Sequence, residues 1–144
     1  MNFGFKGDNT RAREISSDTG RRGRGSGMIN SDAGQVSVVI PARDEEANIE
    51  HVVRSIAIQE GVAEILVVND QSTDRTAEIL ERLKQEFPKL RVLTTDPLPD
   101  GWTGKAHAVA TGARAARAEW LLLTDADTEH LAGSLEWLLA RATS

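Results

Sequence analysis

Leu121-Leu122-Leu123-Thr124-Asp125-Ala126-Asp127-Thr128 decides how this chain is read. An aliphatic run that breaks abruptly into two carboxylates is the pattern of a buried strand ending at a polar edge. The transition recurs upstream, in Val67-Val68-Asn69-Asp70, and Val38-Val39-Ile40-Pro41 leads into Asp44-Glu45-Glu46. Strands that each deliver acidic groups to one edge point to a site for a divalent cation and a phosphorylated ligand.

Working outward, the segments between these runs change period. Strands are predicted at Val36–Pro41, Glu64–Asn69, Arg91–Thr95 and Glu119–Thr124. Glu45–Gln59 reads as a helix with Ile49, Val52, Val53 and Ile56 on one face and Asp44 as its N-cap. A second helix, capped by Ser72 or Thr73, runs to about Glu86 with Ala77, Leu80 and Leu83 inward, and Pro88 ends it. Asp96–Gly104 holds two prolines and two glycines and reads as a loop. A small-residue helix follows from Lys105 to Arg117, and a last one at Leu131–Ala142 aligns Leu131, Leu135, Leu138 and Leu139. Strands alternating with helices imply an α/β fold: a Rossmann-like, mostly parallel sheet of about four strands with helices on both faces.

Composition narrows the classes. The chain has 144 residues, 40% hydrophobic and 27% charged, which suits one soluble domain with a workable core. The absence of cysteine excludes disulfides and thiolate metal sites and is compatible with the cytoplasm. A net charge of −5 argues against nucleic acid as a partner. No apolar stretch approaches the roughly twenty residues of a membrane span. Residues 1–34 carry six Lys/Arg against four Asp/Glu, leaving 11 basic and 18 acidic residues on the rest. With Arg21-Arg22-Gly23-Arg24-Gly25 at its centre, this extension reads as disordered, a basic arm able to touch anionic lipid weakly. The folded unit is expected at 35–144.

In an open α/β sheet, ligands bind outside the carboxyl ends of the strands, where strand order reverses. Asp44, Glu45, Asp70, Asp125 and Asp127 all fall just past such ends and could converge there. Hard carboxylate oxygens suit Mg²⁺ or Mn²⁺, which complete their shells with substrate phosphates. The competing reading makes Asp127 the cap of the last helix, Asp125 a solvated loop residue and Asp70 a turn residue. Arg43 and Lys105 could neutralise a phosphate or contact a base. His51 and His107 read as helix-surface residues, whereas His130, just after the acidic pair, stays open.

These segments in series resemble the family 2 glycosyltransferases of GT-A fold. The matching stretches are Val36–Glu46, Val67–Thr76, Gly101–Lys105 through Gly112, and Thr124–Asp127, in the family's order and spacing. The wording from Pro97 to Lys105 and the ending Asp125-Ala126-Asp127-Thr128-Glu129-His130 are similar to members acting on polyprenoid lipids, such as hopanoid-associated glycosyltransferases. The resemblance implies that Pro41, Ala42 and Glu45 line a nucleotide pocket, usually for UDP. Asp70 would contact the base and Lys105 close the pocket. Asp125 would lie against the ribose or donor sugar, and Asp127 would bind the Mn²⁺ or Mg²⁺ that bridges the diphosphate.

Asn69 and Gln71 stand where many members have Asp and Gly. The larger departure is that the family's general base and acceptor site follow the Asp-x-Asp in a second half. After Asp127 only Glu129 and Glu136 are acidic, and both read as helix-surface groups. The base is therefore expected beyond Ser144, along with the family's C-terminal membrane segments, which would hold the full-length protein at the cytoplasmic face of a lipid bilayer. The expected function is donor binding: a nucleotide-sugar held for transfer to an acceptor, a lipid among the candidates, by a chain poorly active alone. Two other classes fit the sequence less well. Nucleotidyl transfer lacks its Gly-rich loop here. A phosphoacceptor module would need its nucleophile near Asp96. An inert fragment was the third alternative, with an unpaired fourth strand prone to self-association.

Overall fold

The computed structural model describes residues 3–7, 12–15 and 35–143. Its centre is a set of four parallel strands, β3 (Val36–Ala42), β4 (Val62–Asn69), β5 (Leu90–Thr94) and β6 (Trp120–Leu123). The helices α1 (Ile49–Ala57), α2 (Thr76–Glu86), α3 (Gly104–Ala115) and α4 (Ser134–Thr143) alternate with them. Two further strands, β1 (Phe3–Gly7) and β2 (Ala12–Ile15), lie near the N-terminus, and the sheet order is β2-β1-β6-β3-β4-β5. The predicted α/β class and the parallel four-strand core hold.

Side-chain alternation sorts the strands' residues between two cores. Val38, Ile40, Ile65, Val67 and Leu122 face α1, α2 and α4, meeting Val52, Val53, Ile56, Leu80, Leu83, Leu135 and Leu139. Val39, Leu66, Val68 and Leu121 face the other way, against Ala108 and Ala113 of α3. Both faces of β3 and β4 are thus dry, which is why these strands read as unbroken aliphatic runs. Gly112 lets α3 approach closely: a Cβ there would lie 2.5 Å from Val39 Cγ1 and 3.1 Å from Val68 Cγ2.

The N-terminal extension differs from expectation at nine residues. β1 pairs antiparallel with β6, Phe3 opposite Leu123 and Lys6 opposite Trp120, and β2 pairs with β1. The β6 edge, predicted to be unpaired, is therefore covered. A strand edge carries backbone groups that need partners, and the first residues supply them. Two glycines within Phe3-Gly4-Phe5-Lys6-Gly7 hide this strand from a propensity reading. The arginine-rich centre of the extension lies outside the described residues.

Other differences are local. Asp44 does not cap α1, which starts at Ile49 after a turn. Asp44 adopts φ +54° and spans two loops instead: its N–H donates to Ser72 Oγ at 2.9 Å, and its carboxylate accepts from Thr73 N at 2.7 Å. Ser72 and Thr73 are thereby occupied, and Asp74 bonds the start of α2 through Thr76 N at 2.8 Å. Ala77 is exposed, and Thr76 takes the inward place. Leu131 lies before α4 and is exposed; its carbonyl accepts from Gln59 Nε2 at 2.7 Å. No helix among the described residues is long and apolar enough to cross a membrane.

Candidate nucleotide and metal site

Strand order reverses beside β3: β4 and β5 lie to one side and β6 to the other. The loops leaving β3 and β6 diverge there and open a crevice at the carboxyl ends. A cavity of about 420 Å³ occupies it. Pro41, Ala42, Arg43 and Glu45 line it from β3 and the loop that follows. Asp70 enters from the end of β4, Lys105 from the first turn of α3, and Asp125 and Asp127 from the turn after β6. Eight residues singled out in the sequence meet here, joined by Gly104, Ala108 and Ala126, which were not singled out; Asp44, expected to converge with them, does not line the cavity.

Several of these residues are held by traceable contacts. Asp70 N donates to Ala42 O at 2.8 Å, tying the β3 and β4 ends together. Its Oδ1 accepts from Thr95 Oγ1 at 2.9 Å, so the carboxylate is aimed rather than free to swing. Gly104 leaves room for it, since a Cβ there would sit 2.8 Å from Asp70 Oδ2. Glu45 N donates to Thr76 Oγ1 at 2.9 Å, which fixes the loop carrying Arg43 and Glu45 onto α2. Thr103 caps α3 by accepting from Ala106 N at 3.1 Å, leaving the positive end of the helix beside the cavity. Lys105 Nζ lies 2.6 Å from Asp125 Oδ1.

The turn carrying the acidic pair is closed by His130. Its Nε2 is 2.8 Å from Thr124 Oγ1, and its N–H donates to Ser55 Oγ of α1 at 3.3 Å. Burial pushes the imidazole pKa below its ordinary value, favouring the neutral ring. His130 thus ties this turn to α1, and it does not line the cavity. The expectation for His107 is overturned: it is buried, its Nε2 3.1 Å from Asp96 O, with Trp102 edge-on at 6.2 Å. His51 is exposed as expected and pairs with Glu129 at 3.3 Å. Asn69 contributes by accepting from Ser72 N at 3.2 Å, which shapes the turn. Asp127 caps no helix, since α4 begins only at Ser134.

Asp125 and Asp127 are the only carboxylates offered by the β6 turn to the cavity, and no group of three or more His, Asp or Glu with metal-binding arrangement occurs among the described residues. Two carboxylates fit a hard cation that draws the rest of its shell from phosphate oxygens and water, and fit poorly a cation held by protein alone. Asp96 is exposed and does not line the cavity, so nothing there supports a phosphoacceptor site. The segment Pro41-Ala42-Arg43-Asp44-Glu45 at the end of β3 likewise offers no Gly-rich phosphate loop.

The open sheet, with acidic and basic groups gathered at its switch point, places the chain in the class of Rossmann-like α/β domains. Within that class, the chain belongs to glycosyl transferase family 2, whose sequence profile matches residues 37–144. It is 36% identical over 94 residues to a 4,4'-diaponeurosporenoate glycosyltransferase of Staphylococcus haemolyticus, covering 65% of this chain and 24% of that one. Its fold is similar to S. aureus TarS 1-349 in complex with UDP-GlcNAc, with TM-score 0.58 and 26% identity over 74% of this chain and 30% of that one. A mannosyltransferase from Pyrobaculum calidifontis in complex with GDP-Man and Mn²⁺ gives TM-score 0.56 and 28% identity over 78% and 30%. The chain spans about a quarter of the length of the curated relatives it matches.

Proposed function

We propose that this chain is the donor-binding part of a glycosyltransferase, holding a nucleoside-diphosphate sugar, a UDP-sugar in the first instance, together with Mn²⁺ or Mg²⁺. The observation that carries this reading is the convergence of Asp70, Lys105, Asp125 and Asp127 in one cavity at the switch point. Asp70, aimed by Thr95, would accept from the base, and Pro41 and Ala42 would form the wall against it. Arg43 and Lys105 would face the diphosphate. Asp127 would be the direct metal ligand, with Asp125 shared between the cation and the ribose or donor sugar. Bound there, the cation would supply Lewis-acid stabilisation of the departing nucleoside diphosphate.

Transfer also needs a carboxylate within reach of the acceptor hydroxyl. Glu129 is engaged by His51, and Glu136 is exposed on α4; neither lines the cavity. The proposed base is therefore a group outside these residues, and the chain alone is expected to bind donor but transfer sugar poorly. The name of the 4,4'-diaponeurosporenoate glycosyltransferase and the Pro97–Lys105 wording support a lipid acceptor; a place at the cytoplasmic face of a membrane would follow from such an acceptor. Titration calorimetry with UDP, with and without Mn²⁺, tests the donor site. Metal-dependent binding that is lost in Asp127→Asn is expected; a folded protein that binds no UDP in Mn²⁺ would refute the reading.

A further inference from the structure

The Lys105–Asp125 ion pair has a consequence for the order in which ligands enter. Of the charged side chains lining the cavity, Glu45, Asp70, Asp125 and Asp127 are acidic and Arg43 and Lys105 basic. A divalent cation arriving alone would meet two carboxylates at the β6 turn, one already held 2.6 Å from an ammonium group. It would have to share Asp125 with a like charge. A nucleoside diphosphate changes that balance, because its phosphate oxygens attract both the cation and the ammonium.

We propose that Lys105 acts as an internal counter-cation that holds Asp125 until a diphosphate draws it off, so that the site takes nucleoside diphosphate and divalent cation together in preference to the cation alone. This rests on the donor-site reading above. The geometry permits the exchange at low cost. The Lys105 side chain is 66% exposed and Asp125 35% exposed, so the pair is weak and water-screened. Lys105 is the second residue of α3, whose backbone is pinned by the Thr103 cap. Only the flexible stem has to rotate, from the carboxylate toward a phosphate near the helix N-terminus. Coupling of this kind is reciprocal: whatever the diphosphate does for the cation, the cation does for the diphosphate.

The test compares the wild-type chain with Lys105→Met and Lys105→Arg, measuring Mn²⁺ affinity with and without saturating UDP by paramagnetic resonance of the free ion. Removing an exposed ammonium a few ångströms from a divalent cation is expected to tighten binding of Mn²⁺ alone about three- to tenfold. The same substitution should weaken UDP binding in Mn²⁺, so the enhancement of Mn²⁺ affinity by UDP shrinks. Lys105→Arg, which keeps the charge, should leave Mn²⁺ alone binding as weakly as in the wild type. Unchanged or weaker Mn²⁺ binding by Lys105→Met, or equal tightening by Lys105→Arg, would overturn the counter-cation role. A wild-type chain that shows no Mn²⁺-dependent UDP binding would instead overturn the donor site itself, and the two failures are distinguishable.

Discussion

Gly104→Ala is the sharpest probe of the donor site, because it adds one methyl group against one functional atom. The new Cβ would lie 2.8 Å from Asp70 Oδ2, about 0.6 Å inside ordinary van der Waals contact. Asp70 cannot simply turn away, since Thr95 Oγ1 holds its other oxygen at 2.9 Å and its N–H is fixed to Ala42 O. Either the carboxylate shifts and its bond to Thr95 lengthens, or the first turn of α3 retreats and takes Lys105 with it. A hydrogen bond to a charged group is worth about 1.5–3 kcal/mol, and partial misplacement should forfeit the lower part of that range. UDP affinity in Mn²⁺ is therefore expected to fall about tenfold by calorimetry. Stability should move little: Gly104 is not in the left-handed region, and alanine gains up to about 1 kcal/mol over glycine in a helix. Thermal unfolding followed by circular dichroism separates the two quantities. In an Asp70→Ala background the same methyl group keeps only an ordinary contact, Arg43 Nη1 at 3.9 Å, so the double variant should lose no more than Asp70→Ala alone. Wild-type UDP affinity in a folded Gly104→Ala protein, or full additivity in the double variant, would refute the reasoning.

Two further predictions concern the scaffold that aims the site. Gly112→Ala should destabilise the fold by about 1–2 kcal/mol, because a Cβ 2.5 Å from the buried, stiff Val39 overpacks the α3 face by more than the helix-propensity gain returns; a more stable variant in urea would contradict it. Glu64 is 7% exposed and accepts from Ser37 Oγ at 2.6 Å, Arg91 Nη1 at 2.6 Å and Arg117 N at 2.7 Å. Burial alone would raise its pKa, but these donors outweigh that and hold it below the ordinary carboxyl value of 4.5. Its ionised form thus stabilises the fold above the unfolded-state pKa, and that contribution fades as pH falls below about 4.5 through the folded value. Glu64→Gln turns an amide N–H₂ toward at least one of these donors and should cost about 2 kcal/mol at pH 7. The gap to wild type in urea unfolding should close progressively below pH 4.5, and a constant gap down to pH 3 would count against the network.

What was legible in the sequence follows from which physical signals are local. The aliphatic runs of β3, β4 and β6 are buried on both faces, so their composition alone marks them as parallel strands. The acidic cavity residues Glu45, Asp70, Asp125 and Asp127 were legible because strand ends in such a sheet share one edge, whatever their distance along the chain, whereas Pro41 and Ala42 were legible only through the family resemblance. The helix caps were not, because Asp44, Ser72 and Thr73 use their cap-forming oxygens and N–H groups across two loops, a choice that local propensity cannot register. β1 was hidden for the same reason, since its partner β6 lies more than a hundred residues away, and β2 is placed only through β1. His107 looked like a surface residue because its helix has little apolar periodicity, and only the folded Asp96–Gly104 loop covers it.

These non-local contacts bear on function more than the legible ones do. A strand composition places Asp70 at the sheet edge, but Thr95 and Gly104 decide where its oxygens sit. The Asp-x-Asp spelling places two carboxylates after β6, but His130, reaching back to Thr124 and across to Ser55, decides that the turn holds its shape. Lys105 and Asp125 are twenty residues apart and read independently as a phosphate contact and a sugar or metal contact. Under the proposal above, their pairing would make these two roles dependent on each other, because a cation at Asp125 has to share the carboxylate with a like charge. The sequence pattern thus brings the acidic and basic groups to one edge, and the tertiary contacts pair Lys105 with Asp125 there.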